Sequence, residues 1–260
     1  MYDKYRDSIN IDARIELHDR YSGNPYGWHR WVFDNIQFPL GGSFLELGCG
    51  PGYLWTANLD RLPETIDLTL SDQSIGMVFE VRSRLSEIPL QVKFSVIDAG
   101  YIPYPDDSFN AVIANHMLYQ VKELDRTLSE IRRVISPGGC FYSTTNGPDH
   151  LIELADLFVR FDKVLFGHLF DDARDYKLNR FNLGNGRDYL SSYFSDVEIT
   201  RYEDAIVVDE LDPLIPWAEF WVNGQFPQSR AEELREFLST ELLINGSIRI
   251  TKDSGIITSA

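Results

Sequence analysis

Basic residues are scarce in this chain: 24 lysines and arginines stand against 40 acids, leaving a formal net charge of −16. The acids are spread along the sequence, and Arg132-Arg133 is an isolated pair rather than part of a basic stripe. Such a field opposes approach to nucleic-acid phosphate and to anionic membranes, so a small-molecule partner is expected, with no nucleic acid and no membrane. No apolar run reaches the roughly 18–20 residues that a spanning helix needs. Cysteine is nearly absent, and Cys49 and Cys140 lie far apart with no CxxC or Cys/His cluster. That argues against a disulfide scaffold and a zinc site, and no metal is expected. The N-terminal stretch "MYDKYRDSINIDARIELHDR" is charged throughout, unlike a secretory signal, and a cytoplasmic protein is expected. Internal repeats and low-complexity linkers are lacking too, which leaves an ordinary globular chain of 260 residues, as monomer or homodimer.

What is present is an alternation. Residues 1–40 read as a helical, aromatic cap carrying Tyr21, Trp28, Trp31 and Phe33. From Ser43 short apolar strands alternate with helical segments: "SFLEL", "IDLTLSD", "VKFSVID", "FNAVIAN" and "CFYSTTN" are strands, with a helix over "YLWTANLDRL" directly after the first and another over "QSIGMVFEVRSRLSE". Leu124, Leu128, Ile131 and Ile135 mark one buried helical face, and "PGG" at 137–139 makes a tight turn into the fifth strand. This order predicts an α/β, Rossmann-like doubly wound sheet of about seven mostly parallel strands. An antiparallel C-terminal strand is expected, with "SIRITKDSGIITSA" read as a hairpin about Lys252-Asp253-Ser254-Gly255. One domain over 1–260 is expected: the cap at 1–40, a binding core at 41–146, an insertion at 147–185 and the rest of the sheet at 186–260.

"SFLELGCGPG", residues 43–52, places glycines at 48, 50 and 52 right after the first strand. Glycine-rich turns there let a ligand approach the backbone at a helix N-terminus. The dinucleotide pattern GxGxxG fails at Tyr53, and the Lys-Ser or Lys-Thr pair of a phosphate loop is missing. Glu46 would oppose a pyrophosphate and favour a cation. At this point the sequence resembles the class I S-adenosylmethionine-dependent methyltransferases. "FLELGCGPG" matches their first motif, Asp72 closes the second strand, Asp98-Ala99 closes the third, and "DDSFNAVIANHMLYQV" with "TLSEIRRVISPGGCFYST" matches the next strand, helix and turn. The resemblance covers roughly residues 40–146 and is weak beyond them.

The resemblance implies S-adenosylmethionine as cofactor and methyl transfer to a small molecule at oxygen, nitrogen or carbon. Its contacts would include Glu46, Gly48, Cys49, Gly50 and Gly52 of the loop, Asp72 and Gln73 for the ribose, Asp98 and Ala99 for the adenine, and Asn115 for the methionine part. Tyr21 is a candidate to close over the cofactor. His116 reads equally as a packed histidine or as a proton acceptor, and Tyr119 as pocket wall or helix-start packing. The cap tryptophans read first as core packing, as do Phe158, Phe161, Phe166 and Phe170 of the insertion, where His150 and His168 also lie. The acceptor is expected between the end of the fourth strand, the cap from Tyr21 to Trp31, and the 147–185 insertion. The competing classes are a non-catalytic S-adenosylmethionine-binding protein and a dinucleotide oxidoreductase, the latter disfavoured by Tyr53 and Glu46.

Overall fold

The computed structural model describes residues 20–87, 92–167, 178–212, 214–221 and 226–260. A seven-stranded sheet forms its centre, with β1 (Ser43–Leu47), β2 (Asp67–Asp72), β3 (Val92–Val96), β4 (Phe109–Asn115), β5 (Ile135–Asn146), β6 (Val197–Tyr202) and β9 (Ser254–Ser259) in the order β3-β2-β1-β4-β5-β9-β6. The pairings β1–β2, β1–β4, β2–β3 and β4–β5 are parallel. β9 runs antiparallel to both β5 and β6. The strand order reverses between β1 and β4, which opens a crevice at the carboxyl ends of those two strands.

Helices cover both faces. On one, Val32 and Phe33 of α1 (Trp28–Asp34), Trp55 of α2 (Tyr53–Thr56) and Val81 of α3 (Ile75–Arg84) pack on Phe44, Leu68 and Leu70. On the other, Leu128 and Ile131 of α4 (Leu124–Val134) and Leu190 of α6 (Gly186–Leu190) pack on Leu45, Val112 and Phe141. Leu128 and Ile131 of the predicted stripe are buried and Leu124 is partly so, since positions three and four apart share a face, while Ile135 already belongs to β5.

The helix expected over "YLWTANLDRL" stops after one turn. Asn58 causes the break: its amide donates to the Leu54 carbonyl at 2.6 Å and to the His29 carbonyl at 3.1 Å, drawing the chain away from the helical path and fastening α1 to it. The "PGG" segment is not a turn before β5 but a bulge within it. Phe109 pairs with Ile135 and Ala111 with Cys140, so residues 136–139 loop out.

The expected C-terminal hairpin is also corrected. β8 (Ile248–Thr251) pairs with β7 (Ala205–Val208) in a separate two-stranded sheet, while β9 enters the large sheet. The turn between them passes from one sheet to the other because its side chains are held elsewhere. Lys252 pairs with Asp204, and Asp253 pairs with Arg201 and accepts from the Asp149 N–H.

The small sheet, α5 (Ile152–Phe161), α7 (Leu214–Trp221) and α8 (Ala231–Asn245) enclose a second apolar core containing Leu154, Phe158, Phe166, Ile206, Leu234 and Ile250. Phe158 and Phe166 are buried there and Phe161 packs against them, so these three fill a core rather than wall a pocket. His168 and Phe170 lie outside the described residues. Among the described residues no helix is long and apolar enough to cross a membrane.

Candidate functional site

β1 ends at Leu47 and hands the chain to the glycine loop, whose Gly48, Gly50 and Gly52 all have positive φ, at +67°, +52° and +83°. A side chain at Gly52 would come within 2.4 Å of Val81 on α3, and one at Gly48 within 2.8 Å of Met117. These two glycines let the loop close onto α3 and onto the segment after β4. Gly50 differs: nothing lies within 4 Å of where its side chain would be, so its backbone presents an open face. The loop is further drawn in by the Cys49 N–H, which donates to the Ser71 carbonyl at 2.9 Å. Cys49 is buried, and burial foremost, with Glu46 and Asp72 adding, pushes its thiol well up; it is a protonated wall residue.

Glu46 lies beneath the loop with 1% of its surface exposed. Its carboxylate accepts from the Trp55 indole at 2.5 Å, so this acid is engaged by α2 rather than presented openly to a ligand. Burial raises its pKa to about 7, the Trp55 hydrogen bond offsets part of that, and the Asp72 charge adds to it. Asp72, half-buried at the end of β2, accepts from the Gly50 N–H at 3.0 Å and from the Ser74 N–H at 2.8 Å. Burial is again the main cause that raises its pKa. It therefore ties the loop to the start of α3 and stands beside the open backbone of Gly50. Asp98, exposed past the end of β3, accepts from the Gly100 N–H at 2.9 Å and from the Gln73 side chain at 3.3 Å, and Ala99 is buried beside it. The loop, Asp72, Gln73 and Asp98 thus line the carboxyl edge of three adjacent strands.

Asn115 and His116 leave β4 across the crevice. The Asn115 side-chain Oδ1 accepts from Thr144 Oγ1 at 2.5 Å, and the His116 N–H donates to Thr144 Oγ1 at 3.0 Å and to the Thr144 backbone carbonyl at 3.2 Å. These bonds hold His116 at φ +52°, a conformation that non-glycine residues adopt at a cost and that concentrates at functional sites. Its ring lies 5.1 Å from Trp28 and 6.4 Å from Tyr119. Trp28 continues to Trp31 at 5.4 Å and to Tyr202 at 5.4 Å, forming an aromatic cluster at the carboxyl edge. The cap tryptophans therefore join the loop side of the crevice. Tyr21 does not join them: it is 8% exposed, packs with Ile206 and Leu214 in the second core, and points its hydroxyl at Glu210, 3.4 Å away.

Four residues beside the site, Tyr202, Lys252, Asp204 and His29, are given no part in it by the sequence reading. Tyr202 closes β6, and Lys252 and Asp204 form a buried ion pair at 2.5 Å with side-chain exposures of 8% and 0%. Asp204 also accepts from the Ser22 hydroxyl at 2.7 Å and the Asn24 N–H at 3.0 Å, pinning the start of the cap to the sheet. His29 is half-buried, 5.7 Å from Tyr53; burial and then Lys252 lower its pKa to about 4, keeping the imidazole neutral. No local pattern announces the Asp204 contacts, because Ser22 and Asn24 lie 182 and 180 residues before it. Among the described residues no group of histidine, cysteine, aspartate and glutamate is placed to hold a metal ion.

Residues 45–143 match the family described as a methyltransferase domain. The chain is 29% identical over 175 residues to a malonyl-acyl-carrier-protein O-methyltransferase of Halorhodospira halophila, covering 65% of this chain and 59% of that protein. It is 29% identical over 143 residues to a demethylmenaquinone methyltransferase of Symbiobacterium thermophilum, covering 54% of this chain and 55% of the other. The chain thus spans a little over half the length of these relatives. A solved structure of phosphoethanolamine N-methyltransferase 2 from Haemonchus contortus, in complex with S-adenosylmethionine, aligns with a TM-score of 0.60 at 17% identity, covering 100% of this chain and 58% of that one. At that identity the likeness concerns the fold.

Proposed function

We propose that the chain is a class I S-adenosylmethionine-dependent methyltransferase and that it transfers a methyl group from S-adenosylmethionine to a small-molecule acceptor, a reading supported by the methyltransferase-domain match over residues 45–143. The observation that carries this reading is the open backbone face of Gly50 beside the Asp72 carboxylate, at the strand-order reversal. A cofactor with a ribose and no phosphate fits there: the peptide edge is bare, and the neighbouring groups are acids rather than lysines. Asp72 would exchange its bond to Gly50 for the ribose hydroxyls, with Gln73 beside it, and Asp98 with Ala99 would meet the adenine. Glu46, buried below the loop and bonded to the Trp55 indole, would support the loop from beneath rather than meet the cofactor directly.

Bound S-adenosylmethionine would supply an electrophilic methyl carbon on a sulfonium, to which the acceptor's lone pair would bond in line as the carbon–sulfur pair leaves with the thioether sulfur. The protein contributes alignment and exclusion of water. Asn115 and Thr144 fix the segment after β4, and His116 would take the proton that a hydroxyl acceptor loses, with Tyr119 as its neighbour. The described part of the cap around Trp28 and Trp31 is proposed as the cover of this edge, in a cytoplasmic protein acting on metabolites rather than on nucleic acid.

The test is calorimetry with S-adenosylmethionine. Wild type should bind, and Asp72→Ala should weaken binding by about 1–3 kcal/mol, the scale of a lost charge-assisted hydrogen bond. A folded Asp72→Ala protein that binds like wild type refutes the placement.

A further inference from the structure

We infer that Thr144, a buried residue of β5, is a positioning residue of the cofactor site: its hydroxyl turns the Asn115 amide so that the NH2 end is left for the amino-acid end of the cofactor. This rests on the functional reading above. Location comes first. Leu47 pairs with Ala114 in the sheet, so Asn115, one residue on, stands beside Gly48 where the glycine loop begins. Met117 of the same segment packs against Gly48. Asn115 pairs in turn with Thr144, which is 1% exposed between β4 and β9. Thr144 therefore acts on a ligand through Asn115 or not at all.

The protons then decide the orientation. Thr144 Oγ1 accepts from the His116 N–H at 3.0 Å, and its own single proton goes to Asn115 Oδ1 at 2.5 Å. An amide with its oxygen turned to Thr144 has its NH2 turned away from it. That NH2 has no hydrogen-bond partner among the described residues, and Asn115 is half-buried rather than enclosed. Held this way, the amide offers two N–H donors beside the loop, and the amino-acid end of S-adenosylmethionine carries a carboxylate able to accept them. The next hydroxyl along β5 serves a different end: Thr145 donates to the Phe181 carbonyl at 3.2 Å.

Thr144→Val separates orientation from support. Valine keeps the branched shape, and the His116 N–H keeps its bond to the backbone carbonyl of residue 144, 3.2 Å away, so the chain path after β4 is retained. What is lost is the donor to Asn115 Oδ1, which frees the amide to rotate.

The experiment is calorimetry on the full chain with two probes. One is S-adenosylhomocysteine; the other is methylthioadenosine, which shares its adenosine and thioether sulfur but lacks the amino-acid end. Thr144→Val should weaken S-adenosylhomocysteine about tenfold and leave methylthioadenosine unchanged, whereas Thr144→Ser, which keeps the hydroxyl, should bind both like wild type. In an Asn115→Ala background Thr144→Val should add no further loss, because the amide it orients is gone. Unchanged S-adenosylhomocysteine affinity in Thr144→Val, an equal loss for methylthioadenosine, no rescue by serine, or additive losses with Asn115→Ala each overturn the inference and leave the methyltransferase reading standing. Failure of the wild-type chain to bind S-adenosylhomocysteine overturns that reading and this inference together.

Discussion

Replacing Glu46 by glutamine should change how stability depends on pH. The carboxyl is enclosed under the glycine loop, and its pKa rises from an ordinary 4.5 to about 7. Below about pH 4.5 both the folded and the unfolded chain carry the proton, and the favourable contribution of the protonated group is fully present. As pH rises toward about 7 the unfolded chain releases the proton while the folded one keeps it, so wild type loses stability across that window. Above it both states are ionised and the slope from this group ends. At about 1.4 kcal/mol per pH unit the loss amounts to about 3 kcal/mol. Glutamine cannot titrate, yet its carbonyl can still accept from the Trp55 indole. Urea denaturation of wild type and Glu46→Gln at several pH values between about 4.5 and 8 isolates the term, because the difference between the two proteins cancels most other groups. The variant should gain about 3 kcal/mol on wild type as pH rises through the window. A difference that stays flat refutes the reasoning, and shows that Glu46 is ionised in the fold despite its burial.

Gly52→Ala should lower the melting temperature, because its Cβ would come within 2.4 Å of Val81 at φ +83°, a change worth about 1–3 kcal/mol; an unshifted thermal transition would contradict this. Asp204→Ala strips the partner from a lysine with 8% exposure and should cost about 3–5 kcal/mol in urea unfolding. His116→Ala should lower turnover about 10²–10⁴-fold, the range of a lost acid–base group, while S-adenosylmethionine affinity by calorimetry changes little. An unchanged kcat would reduce that histidine to packing.

The cofactor side of this molecule is written locally. Gly48, Gly50 and Gly52 follow a strand at once, Asp72 ends β2 and Asp98 stands two residues past β3, so pattern and spacing place them at one edge. Element ends were less legible. α2 stops at Thr56 because the Asn58 side chain competes for backbone carbonyls, and a pattern of apolar positions does not register that competition. The hairpin expected at Lys252-Asp253 fails for a related reason. Turn-forming residues flanked by β-like segments announce a reversal, but whether the two arms pair with each other depends on Asp204 and Arg201 capturing the turn.

The side proposed for the acceptor is written at long range, and one buried pair explains how. The Asp204 side chain receives the Lys252 ammonium, the Ser22 hydroxyl and the Asn24 N–H, and thereby brings together the start of the cap, the turn after β6 and the turn after β8. Tyr202 stands two residues before Asp204, and Trp28 four residues after Asn24. The same charge that fixes these segments therefore sets the contact of the two rings, 5.4 Å apart, beside His116. A buried ion pair contributes little net stability compared with apolar replacements, but it is intolerant of the wrong partner. Here that intolerance specifies how the cap is seated. Seating the cap is what turns tryptophans that look like ordinary core packing in sequence into the wall beside His116.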